Sequence, residues 1–148
     1  MGALTLPASG SVYLDAKSII YSVERIEPYR SLLRPLWRAA GSNSFHIVTS
    51  DLTLLEVLVR PIRTGNVTLA RGFRRLLQRS PDVRLLPISN SVLERAAALR
   101  AAAAIKTPDA IHAATSLEHG CAVFVTNDPG FRRVSGLNVS VFDDLTKP

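Results

Sequence analysis

The chain reads as a single α/β domain built on a parallel sheet with helices on both faces. Three observations predict it. Short β-prone apolar runs (Val12-Tyr13-Leu14, His46-Ile47-Val48, Val83 to Ile88, Cys121 to Val125) alternate with longer helix-like segments. The length, 148 residues, fits one compact domain. A hydrophobic share of 47% supplies a full core, and a charged share of 20% argues against disorder.

Each element has its own signal. Residues 1–10, small and punctuated by Gly and Pro, read as a loose leader to one domain over 11–148. Val12-Tyr13-Leu14 forms the first strand and stops at Asp15. A helix follows from Ser18 to about Arg25, and a second from Pro28 to Ala40 with Pro in its first turn. Gly41-Ser42-Asn43-Ser44 is a turn. His46-Ile47-Val48 is the second strand, and Thr49-Ser50 caps a helix from Asp51 to about Val59. Pro61 and Gly65 interrupt, and a basic helix runs from Val67 to Gln78 before Ser80-Pro81-Asp82 stops it. The third strand spans Val83 to Ile88. Ser89-Asn90-Ser91 opens an alanine-rich helix through Ala104. Thr107 caps the next helix, which ends near His119 with Gly120 as its closing residue. Cys121 to Val125 is the fourth strand, Thr126 to Gly130 a loop, and Val139 to Phe142 the fifth strand.

Composition narrows the function classes. The formal net charge is +6, carried mostly by arginine, since Lys17, Lys106 and Lys147 are the only lysines. Such a balance suits phosphate polyanions, and it equally suits plain solubility. Cys121 is the only cysteine, so no intrachain disulfide and no paired-cysteine metal or redox motif exists. It sits in an apolar run and reads as a small buried hydrophobe. The start lacks a secretion signal, and no segment approaches the roughly 20 apolar residues that span a bilayer. The expectation is a soluble cytoplasmic protein with no membrane partner.

In a doubly wound parallel sheet the functional crevice lies beyond the carboxyl ends of the strands, where the strand order reverses. Asp15 lies just past the first strand and Asp128 just past the fourth. They share one end of the sheet if those strands are neighbours. Asp109 stands in the first turn of the helix that feeds the fourth strand, so it returns to that same end. Glu56 lies about a turn and a half into its helix and reaches the crevice only if that helix tilts across it.

Each acid also has a purely structural use. Asp15 can cap a helix, Asp109 can favour a helix dipole, and Asp128 can shape a turn. Glu56 can pair with Arg60 four residues on. Taken together they point elsewhere. Clustered carboxylates repel unless cations or protons neutralise them. With no cysteine pair and no HExxH to favour zinc, oxygen ligands suit Mg²⁺ or Mn²⁺. Phosphodiester hydrolysis is the reaction such parts serve best.

Four blocks carry a family resemblance: Val12-Tyr13-Leu14-Asp15, Thr49-Ser50-Asp51-Leu52-Thr53-Leu54-Leu55-Glu56, Thr107-Pro108-Asp109-Ala110-Ile111-His112-Ala113-Ala114 and Val125-Thr126-Asn127-Asp128. In order and spacing they resemble the PIN-domain family, and within it the VapC-like toxin ribonucleases of toxin–antitoxin systems. The resemblance covers Val12 to Phe142, and its third block is the most specific. It implies a five-stranded parallel sheet in a three-layer α/β/α sandwich. It further implies an Mg²⁺- or Mn²⁺-dependent endoribonuclease acting on RNA, a homodimer, and a cognate antitoxin that covers the active site. Asp15, Glu56, Asp109 and Asp128 match the family's acidic, metal-holding positions. Thr126 matches a hydroxyl residue beside the last acid.

Other candidates carry less. His112, one turn after Asp109, reads as a packing or crevice-lining histidine rather than a base, because a metal-bound water needs no imidazole. Arg71, Arg74, Arg75 and Arg79 share much of one helix face, which fits RNA phosphate and a solvated surface alike. The alternatives to a toxin are an RNA-processing nuclease of the same family and a non-catalytic nucleic-acid or protein-binding module. All four acids being present counts against the last. A phospho-acceptor domain would want an Asp after the third strand, where Pro87-Ile88-Ser89-Asn90 stands instead.

Overall fold

A computed structural model describes residues 2–42 and 45–148. Five strands, β1 (Ser11–Leu14), β2 (His46–Ser50), β3 (Val83–Leu86), β4 (Val123–Thr126) and β5 (Val139–Val141), form one sheet in the order β3-β2-β1-β4-β5. All pairings are parallel, and Val12 sits opposite Ile47 on one side and Val123 on the other. The strand order reverses at β1, between β2 and β4. The first and fourth strands are therefore neighbours, as the crevice requires.

Strand alternation builds the two buried layers. Val12, Leu14, Ile47, Val123 and Val125 point into the larger core, which they share with helices α1 (Ala16–Val23), α2 (Tyr29–Gly41), α3 (Asp51–Thr64) and α4 (Val67–Arg74). Tyr13, Val48 and Phe124 point the other way, toward α5 (Asn90–Ala102) and α6 (Thr107–His119). The result is the three-layer α/β/α sandwich. Each fully buried aliphatic or aromatic side chain in these layers contributes about 1.5–3 kcal/mol.

The differences from the expected elements have local causes. α3 runs through Pro61 to Thr64 rather than ending near Val59. Pro61 is buried against the core, and the helix closes where Gly65 takes the left-handed conformation (φ 69°) that its missing Cβ allows. The basic helix reaches Arg74 and then widens into a π-helical turn over Arg75–Arg79. α6 starts one residue earlier than expected: Lys106, not Thr107, is its N-cap, and the Thr107 hydroxyl is taken by an Arg100 guanidinium N–H at 2.9 Å. Gly120 closes it as the sequence implies, at φ 67°. Phe142 begins a short helix, α7 (Phe142–Thr146), rather than ending β5. Of the turn expected at Gly41–Ser44, Gly41 still belongs to α2, Ser42 is its C-cap, and Asn43 and Ser44 lie outside the described residues.

Residues 2–10 contain no helix or strand and touch the domain at several points. Leu4 and Leu6 pack on the larger core, and the Gly2 amide donates to the Leu145 carbonyl at 2.7 Å. Among the described residues no helix is long and apolar enough to cross a membrane. Cys121 is partly buried beside the smaller core, and burial pushes its thiol pKa up.

Candidate active site

Asp15 leaves β1 as its chain turns into α1, and the turn itself demands a side-chain acceptor there. Its Oδ1 accepts from the Ser18 amide at 3.0 Å and the Ser18 hydroxyl at 2.7 Å, capping α1. Its Oδ2 accepts from the Thr126 hydroxyl at 2.5 Å, across the β1–β4 boundary. A carboxylate offers about four lone-pair sites, so these bonds leave roughly one for another partner. The capping role and the crevice role are held by the same side chain.

Thr126 ends β4 and is fully buried. While donating to Asp15 it accepts from the Asp128 amide at 3.0 Å, so one hydroxyl ties two of the acids to the sheet edge. Asp128 is exposed, and its Oδ1 accepts from the Gly130 amide at 2.8 Å. Asp109 projects from the first turn of α6. No hydrogen bond or ion pair engages its carboxylate among the described residues. Its pKa is raised, first by burial, then by the charge of Asp128 against a smaller opposing influence of His112, with Asp15 and Glu56 adding to the rise. Asp109 thus senses the other three acids.

Glu56 reaches the cleft through a partner that the sequence does not announce. Its Oε1 lies 2.5 Å from Nε2 of His112, and Nδ1 of that ring lies 2.6 Å from the Tyr13 hydroxyl. Glu56 as a carboxylate only accepts, which assigns a proton to Nε2. Burial pushes the Tyr13 pKa well up, and in the neutral ring with its proton on Nε2, Nδ1 accepts from the Tyr13 O–H. Tyr13 stacks on Phe124 with ring centroids 4.9 Å apart. The neighbouring Thr49 lowers the Tyr13 pKa against that rise, and the Thr49 and Thr53 hydroxyls lie 2.6 Å apart. A buried chain of polar groups thus runs beneath the sheet and ends at Glu56. The alternative pair with Arg60 does not form: Arg60 approaches Glu24 instead, at 3.9 Å on the surface.

Asp15, Glu56, Asp109 and Asp128 all border one cleft of about 360 Å³ at the carboxyl end of the sheet, together with Lys17 and His112. Yet the acids do not close into a ready-made ligand shell: among the described residues no three His, Cys, Asp or Glu side chains are gathered to enclose an ion. Asp15 is occupied by hydroxyls and Glu56 by His112, while Asp109 and Asp128 repel each other. The donor set is nonetheless all hard oxygen, the chemistry that Mg²⁺ or Mn²⁺ selects. It would have to draw in around the ion.

Residues 12–137 match the PIN domain family. The chain belongs to that family. No curated protein sequence matches it, but this PIN domain is similar in structure to several solved ones. VapBC2 from Rickettsia felis, bound to a DNA fragment from its promoter, aligns with a TM-score of 0.67 at 16% identity, covering 88% of this chain and 98% of that one. DNA-bound VapBC from Salmonella typhimurium gives 0.64 at 20% identity, covering 89% and 98%. VapC20 of Mycobacterium tuberculosis, a toxin that cleaves the sarcin–ricin loop, gives 0.63 at 16% identity, covering 76% and 86%. At these identities the likeness concerns the fold.

Three site features of this PIN domain go beyond the acids and hydroxyl that its sequence singles out. His112 reads as a packing or crevice-lining histidine from sequence, and it does line the cleft, but its bond to Glu56 is not legible there. Ser18, buried and bound to Asp15, is legible only as a helix position three after a cap. Lys17 follows Asp15 by two residues and brings a cation to the cleft wall.

Proposed function

We propose that the protein is a divalent-metal-dependent endoribonuclease, the toxin of a VapBC-type pair. The observation that carries this reading is the convergence of Asp15, Glu56, Asp109 and Asp128, drawn from four separate segments, on one cleft of a PIN domain. Solved relatives in fold that are VapBC complexes, and one toxin named for cleaving the sarcin–ricin loop, support it further.

Asp15, Glu56, Asp109 and Asp128 are the residues that would hold Mg²⁺ or Mn²⁺. Such an ion, when bound, supplies an acidified water and neutralises phosphate charge. The chain's own side chains do the rest. Thr126 and Ser18 hold Asp15 at a fixed point. His112 orients Glu56. Lys17 offsets the charge of the incoming RNA phosphate, and the arginines of α4 and its π-turn draw RNA toward the surface.

A homodimer and a cognate antitoxin belong to the same proposal. Exposed Leu55, Val59 and Ile62 follow one another at i, i+4 and i+7 along α3 and form an apolar stripe that favours being covered. Light scattering on the purified chain measures the dimer, and co-purification with the product of a short neighbouring gene tests the antitoxin.

The decisive experiment incubates RNA with the protein in Mn²⁺, in Mg²⁺ and in EDTA, alongside Asp15→Asn, and maps the product ends. Cleavage in both metals, lost in EDTA and lost in Asp15→Asn, is expected. Full activity in EDTA would falsify the mechanism.

A further inference from the structure

Asp109 and Asp128 border two clefts, not one. The second, of about 330 Å³, shares both carboxylates, Pro129 and Phe131 with the acidic cleft and continues past Ile105, Lys106 and Arg133. Its chemistry changes sign: two cations join it, and it gains no acid beyond the shared pair. Arg133 is anchored, since Nη1 donates to the Ala104 carbonyl at 3.1 Å. A guanidinium has five N–H donors, so most of them stay free. Among the described residues the Lys106 ammonium makes no ion pair or hydrogen bond, although Asp109 lies only three residues away.

We propose that this second cleft is the subsite for the nucleotide adjacent to the cut bond, with Lys106 and Arg133 holding the neighbouring phosphate and Ile105 and Pro129 packing against sugar or base. The inference rests on the nuclease reading of the acidic cleft. An RNA strand cannot lie along four carboxylates unless each phosphate meets positive charge. A metal can serve only the phosphate being cut. The next one along the strand needs cations one nucleotide away, and the contiguous cleft puts them there. Arginine suits a phosphate through paired N–H donors, lysine as a point charge. Apolar walls from Ile105, Pro129 and Phe131 accept any base, so this subsite contributes grip more than sequence choice. The arginines of α4 and its π-turn cannot take this part, because Arg71, Arg74, Arg75 and Arg79 border a separate cleft that shares no residue with the acidic one.

The test uses one RNA oligonucleotide with a single cut site, and a series in which one phosphate at a time becomes a neutral methylphosphonate. These are given to the wild type, Lys106→Ala and Lys106→Ala/Arg133→Ala. In the wild type, neutralising one phosphate next to the cut should lower kcat/KM about tenfold, the worth of one charge-assisted hydrogen bond. In the double variant KM on unmodified RNA should rise by about the same factor, and the methylphosphonate penalty at that position should vanish. A second arm measures anisotropy of the labelled RNA in EDTA. There the slope of log affinity against log salt should fall by about 0.7 for each phosphate left without its cation. Lys106→Ala alone, at an exposed helix start, keeps the test usable should Arg133→Ala disturb the loop. If the wild type cuts RNA while the variants keep its KM, its salt slope and the full methylphosphonate penalty, the subsite is overturned. If the wild type cuts nothing in either metal, yet the variants still weaken RNA binding and its salt slope, the nuclease reading fails and the phosphate-holding cleft stands.

Discussion

Asp15 and Asp109 border the same cleft, and the protein treats them in opposite ways. Asp15 is buried and bonded to an amide and two hydroxyls, which fixes its position and offsets its charge. Asp109 has no bonded partner among the described residues, and burial with nearby acids holds its pKa above the ordinary range. One carboxylate is a structural anchor that keeps a spare lone pair. The other is an uncompensated charge that a proton or a cation would relieve. The cleft thus joins a wall whose charge is satisfied to a wall whose charge is not.

The largest test of that contrast separates activity from stability. Asp15→Asn and Asp109→Asn should both reduce RNA cleavage to the level of an EDTA control. Thermal and urea unfolding should then tell them apart when the anchor is truncated. Asp15→Ala loses a helix cap and the acceptor of the Thr126 hydroxyl, and leaves the Ser18 hydroxyl only the Val125 carbonyl, a destabilisation of about 2–4 kcal/mol. Asp109→Asn should melt at or above the wild-type temperature in EDTA. Equal melting temperatures for Asp15→Ala and wild type would break the comparison.

His112→Ala comes next. Loss of a residue that orients a metal-holding carboxylate typically costs about 10–100-fold in metal affinity. Calorimetric titration of Mn²⁺ should report a loss in that range, against a larger one for Asp109→Asn.

A smaller effect sharpens the description of Asp109 itself. Its pKa is raised in the folded chain, so the folded state binds that proton more tightly than the unfolded one. The stability it contributes is therefore present at low pH and lost as pH rises through the folded pKa. Metal-free wild type should gain stability from neutral to mildly acid buffer relative to Asp109→Asn, in which this contribution is absent. Urea midpoints at the two pH values, compared between the proteins, measure it.

The smallest effect belongs to a region with no acids at all. Arg74→Glu, on the exposed basic face, should leave unfolding within about 0.5 kcal/mol of wild type. It should still lower RNA affinity in low salt by filter binding.

The parallel sheet, its strand-to-helix alternation and the placement of Asp15, Asp109 and Asp128 at one end were legible from the sequence because each rests on local pattern and one topological rule. What escaped rests on tertiary packing. Proline normally ends a helix by withholding an N–H, but α3 runs on through the buried Pro61 to Thr64, with Gly65 as its C-cap. Lys106 caps α6 without a side-chain bond, so no capping signal marks it. α7 is five residues long and its cap, Val141, is none of the usual capping types. The link from Tyr13 through His112 to Glu56 joins residues 99 and 56 positions apart. Only the packing of α6 across the sheet brings them together.

The order in which the strands lie has a consequence for synthesis. β1 is made first but sits between β2 and β4, and Asp15 meets Thr126 across a separation of 111 residues. A chain still emerging from the ribosome therefore lacks one entire side of the crevice until β4 has cleared the exit tunnel. Incomplete copies, whether nascent or prematurely terminated, carry the earlier acids without the strand edge that gathers them with Asp128.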